Sequence, residues 1–313
     1  MKPILYVVLP CYNEEEVLDT TSKVLKETME SLISKGKIAS DSKVMFVDDG
    51  SKDKTWELIT KLNKEGTLFK GVKLSRNKGH QNALLAGLMT AKDLSDITIS
   101  MDADLQDDVS VIEQMVDAYK DGNEVVYGVR NSRKKDTFFK RFTAQSFYKL
   151  MTWMGVDIVY NHADCRLMSK KALAGLKEFK EVNLFLRGIV PLIGYKSTVV
   201  YYERGKRVAG ESKYPLKKML AFALDGITSF SIKPLRFILA LGSVILFISI
   251  VIMIYALIQK IMGNTVAGWT FLTISIWFIG GLQMISLGVI GEYIGKIYNE
   301  SKQRPRYIIE KVL

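Results

Sequence analysis

Apolar and polar positions follow two different periods over the amino-terminal part of the chain. Short apolar runs typical of strands lie at 4–9, 44–47, 71–74, 97–101 and 124–127. Stretches with helical spacing separate them at 14–34, 55–64, 81–91 and 109–120, and Ser51 or Asp53 is the expected N-cap of the second helix. This alternation predicts an α/β domain with a mostly parallel, doubly wound sheet.

Polar residues come directly after the first four apolar runs. They stand at 10–14, 48–51, 75–80 and 102–104. Because ligands of such sheets bind at the carboxyl ends of the strands, four polar strand ends predict a single cleft. The chain contains neither the glycine pattern of a dinucleotide fold nor that of a P-loop, so neither of those sites is expected.

Two carboxylates, Asp102 and Asp104, follow the fourth apolar run with one residue between them. Carboxylates that converge on one point repel each other unless a cation or a proton lies between them. Hard oxygen ligands suit Mg²⁺ or Mn²⁺, and Gln106 offers a further neutral oxygen. The alternative is a polar turn, because aspartate is common after strands.

The pattern changes after residue 230, where two stretches, 237–258 and 261–291, contain no charged side chain. About 20 apolar residues cross the apolar core of a membrane, so spans are predicted near 236–259 and 269–291, with a buried helical hairpin as the alternative. Basic residues flank the pair at Lys233, Arg236, Lys296, Lys302, Arg304 and Arg306, whereas the turn between the spans has only Lys260. This asymmetry predicts that both termini and the large domain lie in the cytosol.

The composition adds a net charge of +11 and only two cysteines in 313 residues. A basic chain suits nucleic acid, an anionic membrane or a phosphorylated substrate, but the basic residues lack a nucleic-acid recognition pattern, so no nucleic-acid partner is expected. Cys11 and Cys165 are too few for a disulfide framework, which favours a reducing compartment. His80 and His162 stand in no pattern typical of a metal site, and His80 is assigned no chemistry.

Several motifs together resemble those of family 2 glycosyltransferases with the GT-A fold, and more closely those of polyprenyl-phosphate glycosyltransferases. The motifs are Pro-Cys-Tyr-Asn-Glu-Glu at 10–15, Val-Asp-Asp-Gly-Ser at 47–51, Asn-Lys-Gly-His-Gln at 77–81, Met-Asp-Ala-Asp-Leu-Gln-Asp at 101–107, Gly-Val-Arg at 128–130, Ala-Asp-Cys-Arg-Leu-Met at 163–168 and Gly-Glu-Ser-Lys-Tyr at 210–214. Cys165 stands where members of the family often have Phe, which should alter packing and not chemistry. The Gln-Arg-Trp motif of processive synthases is absent, which argues against chain elongation.

The resemblance implies roles for the residues of the cleft. Donor-binding residues would be Pro10, Tyr12, Glu14 and Asp49 around the nucleoside and Lys78 at the diphosphate, with a solvated loop lysine as the alternative for Lys78. Asp102, Asp104 and Gln106 would hold the Mg²⁺ or Mn²⁺ that bridges the donor phosphates, which makes Asp104 a catalytic residue.

A polyprenyl phosphate is the acceptor that the resemblance implies. Candidates for the acceptor or leaving phosphate are Arg130, Arg133, Arg204, Arg207, Ser212 and Lys213, although Arg133, Arg204 and Arg207 could instead face anionic lipid. Asp164 is the second catalytic candidate. A phosphate monoester is largely dianionic near pH 7 and needs no base, so we expect Asp164 to orient the sugar or the acceptor. A general base and a structural carboxylate paired with Arg166 remain the alternatives.

The predicted architecture has three parts. Residues 1–212 form a cytosolic GT-A (Rossmann-like) catalytic domain, 213–234 a juxtamembrane amphipathic helix, and 235–313 a two-helix transmembrane hairpin with a cytosolic basic tail. Apolar stripes at 139–154 and 216–227 suit either the membrane interface or core packing. The predicted reaction is an inverting, metal-dependent transfer of one sugar from UDP-glucose or UDP-N-acetylglucosamine to undecaprenyl phosphate. A non-catalytic, membrane-anchored nucleotide-sugar-binding scaffold is the alternative, and either protein could be a homo-oligomer.

Overall fold

The computed structural model describes residues 2–130, 162–203, 228, 231–263 and 268–313. The strands are β1 (Leu5–Cys11), β2 (Lys43–Asp48), β3 (Phe69–Leu74), β4 (Ile97–Ser100), β5 (Val125–Arg130), β6 (His162–Ser169), β7 (Ser197–Tyr202) and β8 (Ile309–Val312). The helices are α1 (Leu18–Ser34), α2 (Thr55–Glu65), α3 (His80–Ala91), α4 (Val111–Lys120), α5 (Lys170–Lys177), α6 (Leu186–Leu192), α7 (Lys233–Ile261) and α8 (Trp269–Ser301). The predicted stripes at 139–154 and 216–227 lie outside the described residues.

The described strands form one eight-stranded sheet in the order β7-β5-β6-β4-β1-β2-β3-β8. Strands β4, β1, β2 and β3 run parallel in its centre, and β5 and β7 are also parallel to each other. Strand β6 runs antiparallel to both β4 and β5, and β8 runs antiparallel to β3 at the edge. The predicted mostly parallel α/β sheet is therefore confirmed, and the carboxyl ends of β1 to β4 meet at one edge.

Helices cover both faces of this sheet, which is why its central strands are apolar at consecutive positions. Every residue of β1 is buried, with Leu5, Val7 and Leu9 packing in one core cluster and Tyr6 and Val8 in the other. At Gly87 of α3, a Cβ atom would lie 2.5 Å from side-chain atoms of β1 and β2. Close packing of α3 thus needs glycine there, and it brings the amino terminus of α3 to the cleft.

Hydrogen bonds join the loops after β1 and β2. As a result, the start of α1 and the N-cap of α2 differ from the prediction. Helix α1 begins at Leu18 and not near residue 14, and the N-cap of α2 is Lys54 and neither Ser51 nor Asp53. The Ser51 hydroxyl instead accepts a hydrogen bond from the Asn13 amide (3.0 Å). Asp53 accepts from Glu15 N (3.2 Å) and from Thr55 N (3.0 Å). The Ser51 and Asp53 side chains, which were predicted as N-caps, therefore bind the loop after β1.

The two long helices match the predicted spans in number and position. Helices α7 and α8 contain apolar windows at Lys233–Ile252 and Phe278–Ser301, with mean hydropathies of 2.6 and 1.3. Neither window contributes a buried residue to the described structure. By length and composition both helices could cross a membrane.

The chain returns to the sheet after α8. Strand β8 pairs Val312 with Val72 and Lys311 with Lys73, and Leu313 N donates to Gly71 O (2.8 Å). Leu313 also packs against the core cluster that contains Leu5. The end of the predicted basic tail is therefore an edge strand of the same sheet that carries the cleft.

Candidate active site

The mouth of the cleft is built from the loop that follows β1. Asn13 adopts a left-handed backbone (φ 53°), and its carboxamide oxygen accepts from Lys52 N (2.9 Å). The Glu14 amide donates to Thr55 Oγ1 (2.9 Å). These contacts leave Tyr12 exposed and Glu14 half-buried at the mouth, beyond the buried Pro10 at the end of β1. The placement suits the predicted donor-binding roles of these three residues.

Asp49 holds the loop that leads into α3. Its two carboxylate oxygens accept from Lys78 N (2.7 Å) and Gly79 N (2.8 Å). Burial raises the pKa of Asp49, and the two amide bonds oppose that rise. A Cβ atom at Gly50 would lie 2.7 Å from the backbone of the facing loop, so glycine is needed for the approach. Asp49, which is itself buried, therefore fixes the backbone position of Lys78.

Asp102 lies beside the first residue of α3. Its Oδ1 is 3.1 Å from His80 Nε2, and both side chains are about one-third exposed. Burial lowers the pKa of His80, but the hydrogen bond and charge of Asp102, together with the charge of Asp164, outweigh burial and raise that pKa to about 9. His80, which was assigned no chemistry, therefore contacts one of the predicted metal ligands. Parallel packing of α3 brings it to a residue 22 positions away, a contact that local spacing does not show.

Asp164 on β6 completes a cluster with His80 and Asp102. One ligand atom from each of the three lies within 4.8 Å of the others. An ion with ligand distances of about 2.1 Å joins atoms up to about 4.2 Å apart, so a small contraction of the cluster would accommodate one. The predicted ligands Asp104 and Gln106 stand on the turn that follows Asp102. The carboxylate oxygens suit Mg²⁺ or Mn²⁺, whereas the His80 imidazole suits softer metals and binds an ion only in its neutral form.

Hydrogen bonds from Gln106 and from Thr21 of α1 fix the turn after Asp102. Asp104 is buried, and its Oδ1 accepts from Gln106 N (3.1 Å) across Leu105, whose φ is 53°. The hydroxyl of Thr21 on α1 donates to Ala103 O (2.7 Å). A non-glycine residue with positive φ is uncommon and strained, and such positions persist where the surroundings fix them. The turn is therefore preorganised around its carboxylates.

Arg187 on α6 is the partner of Asp164. Its Nε and Nη2 donate to the two oxygens of Asp164 at 3.0 and 2.9 Å. Burial would raise the pKa of Asp164, but the charge and hydrogen bonds of Arg187, together with the charges of His80 and Arg166, outweigh burial and hold that pKa well below the usual range. The expected alternative partner, Arg166, is fully buried and lies 5.8 Å from the Tyr127 ring centroid. Sequence reasoning missed Arg187, although it is the single charge in the apolar stretch 184–193, where a charge needs a partner.

Arg130 lies at the end of β5 and is bound to Asp107. Its Nη2 donates to Asp107 Oδ1 (3.2 Å), and the Tyr202 hydroxyl donates to the same oxygen. Burial raises the pKa of Asp107, and Arg130 opposes that rise. The Arg130 side chain is 24% exposed, so it is only partly enclosed by Asp107 and Tyr202. The other predicted phosphate ligands, Arg133, Arg204, Arg207, Ser212 and Lys213, lie outside the described residues.

Comparison with known proteins decides the family. The sequence profile described as glycosyl transferase family 2 matches residues 6–176. The chain belongs to glycosyl transferase family 2. This glycosyltransferase is 57% identical over 309 residues to the uncharacterized glycosyltransferase YkoT of Bacillus subtilis, covering 99% of this chain and 92% of the relative. It is also 39% identical over 308 residues to the prophage bactoprenol glucosyl transferase homolog of Escherichia coli K12, covering 98% of each chain.

A third relative agrees with the second. The bactoprenol glucosyl transferase of Shigella phage SfV is 39% identical over 306 residues, covering 97% of each chain. Alignment over nearly whole chains includes the cleft and both apolar helices. The predicted GT-A class, the enzyme class and the resemblance to polyprenyl-phosphate glycosyltransferases are confirmed.

Proposed function

We propose that this glycosyltransferase transfers one sugar from a UDP-sugar to undecaprenyl phosphate at the cytosolic face of a membrane, with inversion and with Mg²⁺ or Mn²⁺. Glucose is favoured over N-acetylglucosamine by the names of two relatives, which are described as bactoprenol glucosyl transferases or homologs of them. The observation that carries the proposal is the placement of Asp102 and the Arg187-bound Asp164 in one cleft of a chain with two exposed apolar helices.

The donor is held along the carboxyl ends of β1 to β4. Glu14 can accept hydrogen bonds from ribose hydroxyls, and Asp49 from a uracil N–H. Lys78, whose backbone is fixed by Asp49, can meet the diphosphate. Asp102, Asp104 and Gln106, with His80 beside them, would hold the divalent ion. When bound, that ion would neutralise the charge that develops on the departing nucleoside diphosphate.

The acceptor phosphate supplies its own nucleophile. Its second pKa is near 6, so an anionic oxygen can attack the anomeric carbon without giving up a proton. A carbon–oxygen bond forms to the phosphate, and the bond to UDP breaks with its electron pair leaving on UDP. Attack from the face opposite UDP inverts the configuration. Arg130 is placed to contact one of the phosphates at the edge of the cleft.

Asp164 orients the reactants in this proposal. A carboxylate whose pKa is held well below its usual range is a weak base, because it binds a proton poorly at neutral pH. Both of its oxygens are bound by Arg187, which fixes its direction in the cleft. Its remaining lone pairs can accept hydrogen bonds from sugar hydroxyls.

A donor panel tests the proposal. Purified full-length protein is incubated with radiolabelled UDP-glucose, UDP-N-acetylglucosamine, UDP-galactose or GDP-mannose, with undecaprenyl phosphate and Mg²⁺ or Mn²⁺. We expect lipid-linked glucose from UDP-glucose, one sugar per lipid, with a β linkage if the donor is α. A lipid product with several sugars, or label released only as free sugar, would contradict the proposal.

A further inference from the structure

The carboxyl end of α8 is bonded to the catalytic domain just before α6. Glu300 accepts two hydrogen bonds with its carboxylate, from Val182 N to Oε2 (2.9 Å) and from Asn183 N to Oε1 (2.8 Å). Arg306 Nη1 donates to Phe179 O (3.0 Å). Hydrogen bonds to an ionised carboxylate are roughly twice as strong as neutral ones. The end of a helix long enough to cross a membrane therefore holds the chain at residues 179–183.

The same segment leads directly to Arg187. Leu184 N donates to Val182 O (3.0 Å), and the Phe185 carbonyl accepts from Gly188 N (2.9 Å) and Ile189 N (3.0 Å) in the first turn of α6. A short run of backbone hydrogen bonds thus joins the Glu300 contacts to the helix that presents Arg187. Because Arg187 binds both oxygens of Asp164, a shift of this segment changes the direction of the Asp164 carboxylate.

The segment is also held from the cleft side. Gln81 on α3 accepts from Leu186 N (2.8 Å) with its side-chain oxygen, and its neighbour His80 contacts Asp102. The residues from 182 to 187 are therefore fixed at two points, one on the apolar helix and one in the cleft. A cavity of about 650 Å³ borders the first point, lined in part by Phe179, Val182 and Glu300. It gives the segment room to move if the Glu300 contacts are lost.

We infer that Glu300 is a positioning residue, which couples the placement of α8 in the membrane to the Arg187–Asp164 pair of the active site. The inference rests on the proposed function, since it concerns how a lipid acceptor and the cleft are brought into register. The chemistry needs such a coupling because the acceptor phosphate lies at the membrane surface while the donor lies in the cleft. A misplacement of about 1 Å lowers the rate of a positioned reaction by up to about a hundredfold.

The variant that tests this is Glu300→Gln in the full-length protein in lipid nanodiscs. The carboxamide keeps the shape of the side chain but offers one acceptor oxygen to two N–H groups. Glu310→Gln is the matched control, since Glu310 contacts Lys73 on the exposed edge (2.9 Å). Two quantities are measured: kcat and KM for UDP-glucose with undecaprenyl phosphate, and hydrogen exchange of the segment 180–190.

For Glu300→Gln we expect kcat to fall about tenfold or more with the KM for UDP-glucose unchanged, together with faster exchange in 180–187. Glu310→Gln should match the wild type in both measurements. Faster exchange with unchanged kcat would overturn the inference, because Glu300 would then only anchor the helix. Loss of kcat together with a raised KM for UDP-glucose and lower thermal stability would overturn it as well.

A second variant keeps the inference testable if the Glu300→Gln protein fails to fold. Gln81→Leu removes the other fixed point, and we expect the same fall in kcat and the same faster exchange. If the wild type transfers no sugar to undecaprenyl phosphate, the proposed function fails. The positioning role is then measured on the slow hydrolysis of UDP-glucose, where a fall in Glu300→Gln supports it and an unchanged rate overturns it.

Discussion

At the residue scale, the carboxylates of the cleft are distinguished by what binds them. Asp102 contacts His80 and is one-third exposed, so water screens that pair and leaves the carboxylate accessible. Asp164 is bound at both oxygens by Arg187, with a pKa well below its usual range. The first arrangement suits an exchangeable ligand, and the second suits a fixed direction for hydrogen bonds.

The Asp164→Asn variant tests the role of Asp164 through pH. Because the pKa of Asp164 is lowered, its carboxylate stays ionised from about pH 5.5 to 8.5, where the acceptor phosphate titrates and His80 begins to lose its proton only at the upper end. We expect a loss of about a hundredfold in single-turnover rate that is nearly the same at every pH. The rate is measured with saturating UDP-glucose for the wild type and the variant.

Rescue of the Asp164→Asn variant at high pH would instead support the general-base role of Asp164. If Asp164 removes a proton in the transition state, raising the pH above the acceptor pKa should rescue the variant. A deficit that shrinks about tenfold or more between pH 5.5 and 8.5 would therefore contradict the orienting role. Arg187→Lys is a useful companion variant, because lysine keeps the charge but not the paired geometry. We expect it to show the same pH-independent loss.

Asp104→Asn tests the metal turn. Asn keeps the volume of the buried side chain and its bond to Gln106 N, but it removes a ligand charge, so turnover should fall about a thousandfold while folding is retained. Asp108→Asn, which changes an exposed carboxylate of the same loop, should keep wild-type turnover. Full activity in Asp104→Asn, or activity that survives exhaustive chelation, would show that the metal assignment is wrong.

At the element scale, β8 closes the β3 edge of the sheet. Removal of residues 309–313 deletes its backbone bonds to β3 and the partly buried Leu313. Each such bond contributes about 1 kcal/mol net, so we expect a loss of about 1–3 kcal/mol and a melting temperature lower by several degrees. Thermal unfolding of the full-length and truncated proteins in the same detergent measures this.

Glu310→Gln is the control for the truncation. It removes only an exposed ion pair with Lys73, which is worth at most about 1 kcal/mol, so its melting temperature should stay close to that of the wild type. An unchanged melting temperature in the truncated protein would mean that β8 adds nothing to the stability of the sheet. The truncated protein should also aggregate more readily, because the bare β3 edge can pair with another chain.

Local pattern predicted the central elements and failed for the later strands. Strands β1 to β4 are continuous apolar runs followed by polar turns, which is a signal within each segment. Strand β6 carries Asp164 and Arg166, and β8 is exposed at every position, so neither shows an apolar run. Both are strands because of partners distant in the sequence, which composition and period do not show.

The sequence likewise predicted some residues of the candidate site and missed others. Asp102, Asp104 and Asp164 were recognised because they stand in motifs. Their partners were not, since His80 lies 22 residues from Asp102 and Arg187 lies 23 residues from Asp164. The Glu300 contacts join residues 117 and 118 positions apart. The motifs identify the candidate site residues, whereas the residues that contact them are found only when the chain is folded.

At the scale of the whole molecule, the ends of the two long helices constrain the membrane topology. Strand β8 begins eight positions after the end of α8 and pairs with β3 of the catalytic domain. If α8 crosses a membrane, its carboxyl end therefore lies on the same side as that domain. We predict that α7 and α8 both cross, which would place the turn at 260–268 on the opposite side.

Cysteine labelling in intact cells checks this topology. Basic flanks at Lys233, Arg236 and Arg304 predict that the shared side is the cytosol. We therefore expect an impermeant thiol reagent to label Asn264→Cys and to leave Arg304→Cys unlabelled until the cells are opened. The native Cys11 and Cys165 are both free and buried, so their background labelling should be low. Labelling of Arg304→Cys in intact cells would reverse the orientation. Labelling of both variants would break the shared placement that the pairing of β8 with β3 requires.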